Sequence, residues 1–264
     1  MSAVTSPHSL AFVVLAAGRG SRLDDAGYSG PKWLLPVGDL RIADHQCAGL
    51  GAAFTPGDRA LVVTGFATQD VVAFLAEQAV IPAAEPLTNE YWDDRNNWYS
   101  LLVALEQLSA EQWQGGVVVV NSDLCARAGL FTAFVEQARR IGTEQGILAV
   151  DLVRELTDEA MKVAAVHDTD GARCIGIGKV GVPDPVGEYI GLAALPPARW
   201  HQLIEVLRGF QHSERHDEWY EAGFRVLMQD GGPGFAVWPT PDSNWVEVDD
   251  GADWSRAVAM MGAS

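Results

Sequence analysis

The reading of this chain turns on Leu15-Ala16-Ala17-Gly18-Arg19-Gly20-Ser21-Arg22-Leu23, followed after a short polar insert by Pro31-Lys32-Trp33-Leu34-Leu35-Pro36-Val37. It follows an apolar, β-branched run from Leu10 to Leu15, so a buried strand delivers the chain straight into a glycine turn. Gly18 and Gly20 can take backbone angles closed to other residues and let main-chain N–H groups approach a ligand. Arg19, Arg22 and Lys32 bring positive charge to the same place. Such a loop suits a polyphosphate. The spacing is not Gly-x-Gly-x-x-Gly, and no Gly-Lys-Ser/Thr follows, so neither a dinucleotide fingerprint nor a Walker loop fits.

Strand-like and helix-like runs alternate beyond this turn, the pattern of a largely parallel sheet covered by helices. Strands are expected at Ala11–Leu15, Ala60–Thr64, Val80–Ala84 and Val117–Val120. Helices are expected at Ile42–Ala53, Thr68–Gln78, Asn97–Leu108 and Leu130–Ile141, each with apolar residues at three- and four-residue spacing. The second half changes character. Gly146–Val153, Met161–His167, Arg173–Gly178 and Tyr189–Ala194 read as short strands, with Asp168-Thr169-Asp170-Gly171 as a hairpin turn, and together they are expected to form a smaller sheet closing over the site. Helices follow near Pro197–Phe210 and His216–Gln229. Strands at Phe235–Trp238 and Trp245–Val248 and a last helix from about Ala252 complete the pattern.

Asp123 follows four valines, Val117 to Val120, which places it at the carboxyl end of a central strand. Ligands bind at that end of open α/β sheets, so the carboxylate is either a magnesium ligand or a turn and helix-capping aspartate. In Trp245-Val246-Glu247-Val248-Asp249-Asp250, alternation puts Glu247 and Asp249 on one face of an extended strand. Two oxygen donors there suit a hard cation, or form the polar outer face of an edge strand. Asn96, Asn97 and Ser100 open a helix and can cap it, hydrogen-bond a base and ribose, or do both.

The pattern L-A-A-G-x-G-[ST]-R-[LM], with P-K-x-L downstream, resembles the signature of nucleotidyltransferases that join a nucleoside triphosphate to a phosphorylated small molecule. The late aromatic residue followed by E-[IV]-D resembles the same group. Asn89 to Leu101, with Asn96-Asn97-Trp98-Tyr99-Ser100, is similar to the N-N-x-Y-S segment of cytidylyltransferases that activate phosphocholine and related phospho- or phosphono-compounds. Met161-Lys162-Val163, Gly178-Lys179 and Gly187-Glu188-Tyr189-Ile190-Gly191 resemble further elements of that group, although Lys162 and Lys179 are equally ordinary as surface lysines. Two departures stand out: Asn121-Ser122-Asp123 replaces the family's G-D-[VL] or D-x-D, and Gly38 to Ile42 lacks the usual G-K-P-[LI] form.

The resemblance implies an α/β fold, the three-layer Rossmann-like nucleotidyltransferase fold with a mainly parallel central mixed sheet and a small β-rich lid. It implies one domain over residues 1–264, with residues from about 150 to 195 as an acceptor-side subdomain. It further implies transfer of CMP from CTP to a small phosphorylated or phosphonate acceptor, with release of pyrophosphate and Mg²⁺ as cofactor. Lys32, Arg19 and Arg22 are then catalytic. Leu15, Ala16, Ala17, Gly18, Gly20, Ser21, Asn96, Asn97 and Ser100 bind nucleotide, and Lys162, Lys179, Glu188, Tyr189 and Trp98 bind the acceptor. Asp123, Glu247 and Asp249 hold the metal. Trp92, Trp98, Tyr91 and Tyr99 are candidates to cage a quaternary ammonium, with Glu90, Asp93 or Asp94 favouring an amine such as 2-aminoethylphosphonate, or are equally core aromatics, in which case Lys162, Lys179 and Arg95 favour a smaller or more anionic phosphonate. A sugar- or polyol-phosphate enzyme using CTP, UTP, dTTP or GTP is the alternative, and a non-catalytic nucleotide-binding regulator is an alternative of another class.

Composition bounds these readings. The 264 residues carry a formal net charge of −17, which opposes binding to nucleic acid, and 48% are hydrophobic, as in an ordinary globular chain. Screening over about 8 Å at physiological salt lets a local positive patch operate within that overall field. Cys47, Cys125 and Cys174 are widely spaced and form no Cys-x-x-Cys pair. No apolar run approaches the roughly 20 residues that span a bilayer, and Met1 to Ser9 lacks signal-peptide character. The expectation is a cytoplasmic protein, monomeric or homodimeric, with no membrane or nucleic-acid partner.

Overall fold

The computed structural model describes residues 9–81, 84–141, 145–168, 171–232, 234–242 and 244–262. In the first half, β1 (Leu10–Ala16) leads through 3₁₀ turns at Ser21–Ala26 and Lys32–Leu34 into a minimal hairpin of β2 (Pro36–Val37) and β3 (Leu40–Arg41). Then come α1 (Ile42–Ala52), β4 (Arg59–Thr64), α2 (Thr68–Glu77), β5 (Glu85–Thr88) and α3 (Asn97–Ala110). Next are β6 (Gly116–Asn121), β7 (Leu124–Ala126), α4 (Ala128–Ile141) and β8 (Gly146–Asp151). The second half adds β9 (Lys162–Asp168), β10 (Gly171–Gly178), β11 (Gly187–Leu195), α5 (Pro197–His212) and α6 (Tyr220–Gln229). β12 (Phe235–Pro239), β13 (Trp245–Glu247) and α7 (Gly251–Gly262) close the chain.

Nine strands form one mixed sheet in the order β5-β4-β1-β6-β11-β8-β12-β10-β9. The β5-β4-β1-β6 half is parallel, while β11 runs antiparallel between β6 and β8, and β10 antiparallel between β12 and β9. Both faces are covered. On β6, Val118 and Val120 join a core with Trp33, Phe131 and Phe134, whereas Val117 and Val119 point to the other side, toward Trp98, Trp200 and Phe224. A strand buried on both faces reads as the unbroken valine run that the sequence shows. The result is the expected three-layer α/β fold.

Three expectations need correction. The smaller sheet over the site is part of the main one, because β9, β10 and β11 hydrogen-bond into it through β12, β6 and β8. The strand expected at Val80–Ala84 forms instead at Glu85–Thr88, an edge strand whose Pro86 is tolerated because no further strand pairs beyond it; residues 82 and 83 lie outside the described residues. The helix expected from His216 begins at Tyr220, which leaves residues 216–219 as a loop. The hairpin expected at Asp168 to Gly171 joins β9 to β10, with residues 169 and 170 outside the described residues. The three cysteines are free and buried, and among the described residues no helix is long and apolar enough to cross a membrane.

One buried polar side chain ties the sheet to the loops above it. Gln46 of α1 is fully buried, accepts a hydrogen bond from Trp33 Nε1 at 2.9 Å, and donates from Nε2 to the carbonyls of Asn121 and Leu124 at 2.9 Å each. It thereby fixes the Lys32-Trp33 turn against the Asn121–Leu124 turn at the end of β6. Gln46→Leu would leave those buried groups unpaired and is expected to lower the unfolding free energy by about 2 kcal/mol or more, read by urea denaturation. An unchanged midpoint would show that the two turns are held by other means.

Candidate active site

The carboxyl ends of β1 and β6, the glycine turn, the start of α3 and the segments after β10 and β13 surround a cleft of about 470 Å³. At its centre Lys32 is 8% exposed, and its Nζ donates to Asp123 Oδ2 at 3.0 Å and Asp249 Oδ1 at 2.5 Å. Burial would lower the Lys32 pKa, but the attraction of Asp123 and Asp249 outweighs it and the pKa is raised. The Asp249 carboxyl resists its own desolvation and is held below the usual range by Lys32 and Arg22, whose Nη2 lies 3.2 Å from Asp249 Oδ2. Asp249 reaches Asp123 because β13 pairs antiparallel with β7 and the Val248 N–H donates to the Asp123 carbonyl at 3.0 Å.

Two glycines permit these approaches. Gly20 has φ +70, and a Cβ there would lie 3.3 Å from the Lys32 Cβ, so the turn folds closely over the lysine stem. Gly191 has φ +82 at a register shift in β11, and a Cβ would come within 2.7 Å of Asn121 Nδ2. Gly18, free to take such angles, does not take a positive φ, and a Cβ there would meet nothing within 4 Å in the space where it lines the cleft.

The structure sorts the expected site residues. Leu15, Ala17, Gly18, Gly20, Arg22 and Lys32 line the cleft, as do Asn96, Asn97, Ser100, Asp123, Lys179, Tyr189, Glu247 and Asp249. Ala16 is buried in the core beneath the cleft, and Ser21 is exposed without lining it. Arg19 points away, paired with Asp24 at 2.7 Å and lying 5.4 Å above the Phe66 ring. Lys162 donates to the carbonyls of Asp158, Ala160 and Lys179 and so braces a loop, and Glu188 lines a neighbouring cavity instead. Trp98 is wholly buried, with Nε1 donating to the His216 carbonyl at 3.2 Å, and it touches no acceptor space.

The aromatic cage likewise does not form. The Arg95 guanidinium covers the Tyr91 and Tyr99 rings at 4.0 and 4.4 Å, and Trp92 packs edge-on to Phe66 at 5.5 Å. Asn96 and Asn97 direct much of their bonding capacity to the 216–220 segment. Asn96 Oδ1 caps the Asn97 N–H at 2.8 Å, its Nδ2 donates to the Asp217 carbonyl, and Asn97 Oδ1 accepts from the Tyr220 N–H at 3.0 Å. The Ser100 hydroxyl accepts from Asn89 Nδ2 at 3.0 Å. These contacts bring Asp217, Trp219 and Glu221 into the cleft wall. A helix read as starting at His216 hides that placement, since it makes all three ordinary helical residues.

Among the described residues, no three His, Cys, Asp or Glu side chains already enclose a metal position. The Lys32 ammonium stands between Asp123 and Asp249, and Asp123 Oδ1 is buried without a hydrogen-bond partner. Hard oxygen donors with one unsatisfied oxygen are suited to a divalent cation of the magnesium class. Glu247 is exposed at the end of β13, and partial loss of surrounding water together with the charges of Asp123 and Asp249 raises its carboxyl pKa. Acidic side chains outnumber Lys and Arg in the cleft lining even with Glu247 protonated.

The cleft thus presents a glycine turn laid over a lysine, with paired carboxylates at the strand ends. The MobA-like NTP transferase domain matches residues 12–155, more than half of the chain. The chain belongs to that family. This nucleotidyltransferase has the same fold as CTP:phosphocholine cytidylyltransferase of Streptococcus pneumoniae (LicC), with TM-score 0.71, 16% identity and coverage of 96% of this chain and 99% of that one. It is also similar to the inositol-1-phosphate CTP transferase of T. maritima, with TM-score 0.70, 17% identity and coverage of 98% and 96%. A nucleoside-diphosphate-sugar pyrophosphorylase of Vibrio cholerae RC9 superposes with TM-score 0.72, 17% identity and coverage of 94% and 99%. No curated protein matches the chain in sequence.

Removing the central cation isolates its role in the unliganded nucleotidyltransferase. Lys32→Met is expected to lower the unfolding free energy by about 3 kcal/mol, the low end for a broken buried pair, because both carboxylates keep some solvent contact. Urea denaturation in the presence of a chelator measures it. No loss of stability would mean that Asp123 and Asp249 are neutralised in another way.

Proposed function

We propose that this nucleotidyltransferase moves CMP from CTP to a small phosphate or phosphonate acceptor, with Mg²⁺ as cofactor. The observation that carries the reading is the Lys32 ammonium clamped by Asp123 and Asp249 beneath the glycine turn. An acceptor oxygen attacks the α-phosphorus of CTP, a new P–O bond forms, and the bridging oxygen departs with its electron pair as part of pyrophosphate. Two anions must meet. At about 4 Å and an effective dielectric near 20, each pair of like unit charges costs on the order of 4 kcal/mol, so charge neutralisation is the main catalytic task.

Lys32 supplies that charge at the α-phosphate, and Arg22 with the backbone N–H groups of the glycine turn receives the rest of the triphosphate. Arg19, turned toward Asp24, reaches the phosphates by exchanging that exposed ion pair, an inexpensive change. Asp123 and Asp249, with Glu247 beside them, would hold Mg²⁺, which neutralises phosphate charge when bound. The excess of carboxylates supports that cofactor, since a triphosphate approaching Asp123, Asp249 and Glu247 would otherwise be repelled. A phosphate or phosphonate is already ionised near neutral pH, so positioning and charge stabilisation suffice without a general base. The preference for CTP rests on the likeness of the Asn96–Ser100 segment to cytidylyltransferases, and the acceptor enters from the side bounded by residues 150–195.

Pyrophosphate release, measured across CTP, UTP, dTTP and GTP with phosphonate, phosphocholine and sugar-phosphate acceptors, tests the reading. CTP with a phosphate or phosphonate of a small alcohol or amine is the expected pair, and activity should vanish on chelation of Mg²⁺. Lys32→Ala and Asp123→Asn are each expected to lower kcat about 10²-fold or more with the fold retained. Preference for UTP or dTTP with a sugar 1-phosphate would replace this reading with a sugar-nucleotide one.

A further inference from the structure

Among the described residues two buried carboxylate oxygens lack a hydrogen-bond donor, Asp123 Oδ1 and Glu221 Oε2, and both residues line the cleft. Asp123 belongs to the cation site already described. Glu221, only 4% exposed in the first turn of α6, has no such assignment. Burial and the charge of Asp123 outweigh the stabilisation that its own backbone N–H and the Tyr220 hydroxyl give it, and that hydroxyl is already shared with Asn121 Oδ1 at 2.8 Å and with the Tyr189 hydroxyl at 2.9 Å. The nearest cation of influence, Lys179, is paired with Glu159 at 3.0 Å and lies 4.9 Å from the centre of the Trp219 ring.

A buried carboxylate with a vacant acceptor position on a substrate cleft calls for a cationic donor from the substrate. Two kinds of ammonium are available in principle, and the structure distinguishes them. A trimethylammonium has no N–H and is recognised by aromatic faces. Here Trp98 is buried in the core, Arg95 covers Tyr91 and Tyr99, Trp92 packs edge-on to Phe66, and the Lys179 ammonium already lies over the Trp219 ring. An ammonium with N–H groups satisfies Glu221 Oε2 directly by a charge-assisted hydrogen bond.

We infer that the acceptor carries an N–H-bearing ammonium beside its phosphate or phosphonate, and that Glu221 is the specificity-determining residue that receives it. The inference rests on the proposed reaction and narrows its acceptor. Burial pushes the Glu221 pKa up to about 7, and an ammonium partner would restore the ionised form near neutral pH.

The test compares kcat/KM for 2-aminoethylphosphonate, ethylphosphonate and phosphocholine, with CTP and Mg²⁺, in the wild type and in Glu221→Gln, which keeps shape and removes charge. The wild type is expected to favour the aminophosphonate over either competitor by about tenfold or more. In Glu221→Gln the ratio of aminophosphonate to ethylphosphonate should fall about tenfold or more, through KM for the amine, as expected when a hydrogen bond loses its charge assistance. Phosphocholine turned over as well as the aminophosphonate, or a ratio untouched by the substitution, would overturn the inference while leaving CTP-dependent transfer in place. Turnover of none of the three, with a sugar 1-phosphate used instead, would overturn the proposed reaction and this inference with it.

Discussion

The ammonium of Lys32 between Asp123 and Asp249 is the constraint around which the molecule is arranged. Its three participants come from the first, middle and last parts of the chain, so the contact exists only when the sheet is complete. β6 places Asp123, the β13–β7 pairing brings Asp249 alongside, and the turn after the glycine loop carries Lys32 beneath Gly20. Gln46 locks two of these pieces together from below. Desolvating one lysine is tolerable because two carboxylates face it, and the same two carboxylates leave the cluster with surplus negative charge. That surplus is what the proposed magnesium ion would neutralise.

The net charge of −17 would seem to disfavour a protein that handles polyphosphates. Locally the problem is solved by arrangement rather than by composition. Arg22 and Lys32 gather under one turn, while the unneutralised acids lie where a metal ion or a substrate cation can approach them. Screening within about 8 Å keeps the remaining acidic surface from reaching into this pattern. Charge totals therefore oppose extended nucleic-acid binding yet say little about a cleft of this size.

Much of this was legible from residue order alone. The valine run of β6, the apolar strand before Gly18 and the spacing of α1 through α4 identify themselves because burial on two faces, or on one helical stripe, leaves a periodic record. β5 left a weak record, since a short edge strand containing Pro86 has little apolar content to betray it. Trp98 misled for a related reason. It sits in a segment rich in Asn and Tyr that does line the cleft, and only the helical phase of α3 turns its indole into the core. Arg19 and Lys162 show the same limit, because a cation near a phosphate loop has several carboxylates or carbonyls to choose from and sequence does not rank them.

The boundary of the matched family domain explains why the nucleotide side was clearer than the acceptor side. Residues 12–155 include the glycine turn, Lys32, Asn96 and Asp123, the parts proposed to meet the triphosphate. Lys179, Trp219, Glu221 and Glu247 lie beyond it, on segments that complete the other wall of the cleft. A nucleotide imposes one geometry on any protein that binds its phosphates, so its contacts recur as a readable pattern. An acceptor imposes only its own, and each protein meets it with local substitutions on whatever loop lies nearest. On the proposed reading that loop is residues 216–220, held to the start of α3 by Asn96 and Asn97. The two asparagines thus connect the glycine-turn half of the cleft to its other half. If Glu221 receives the acceptor as proposed, a change in either alters acceptor recognition through the placement of Glu221, without touching the glycine turn.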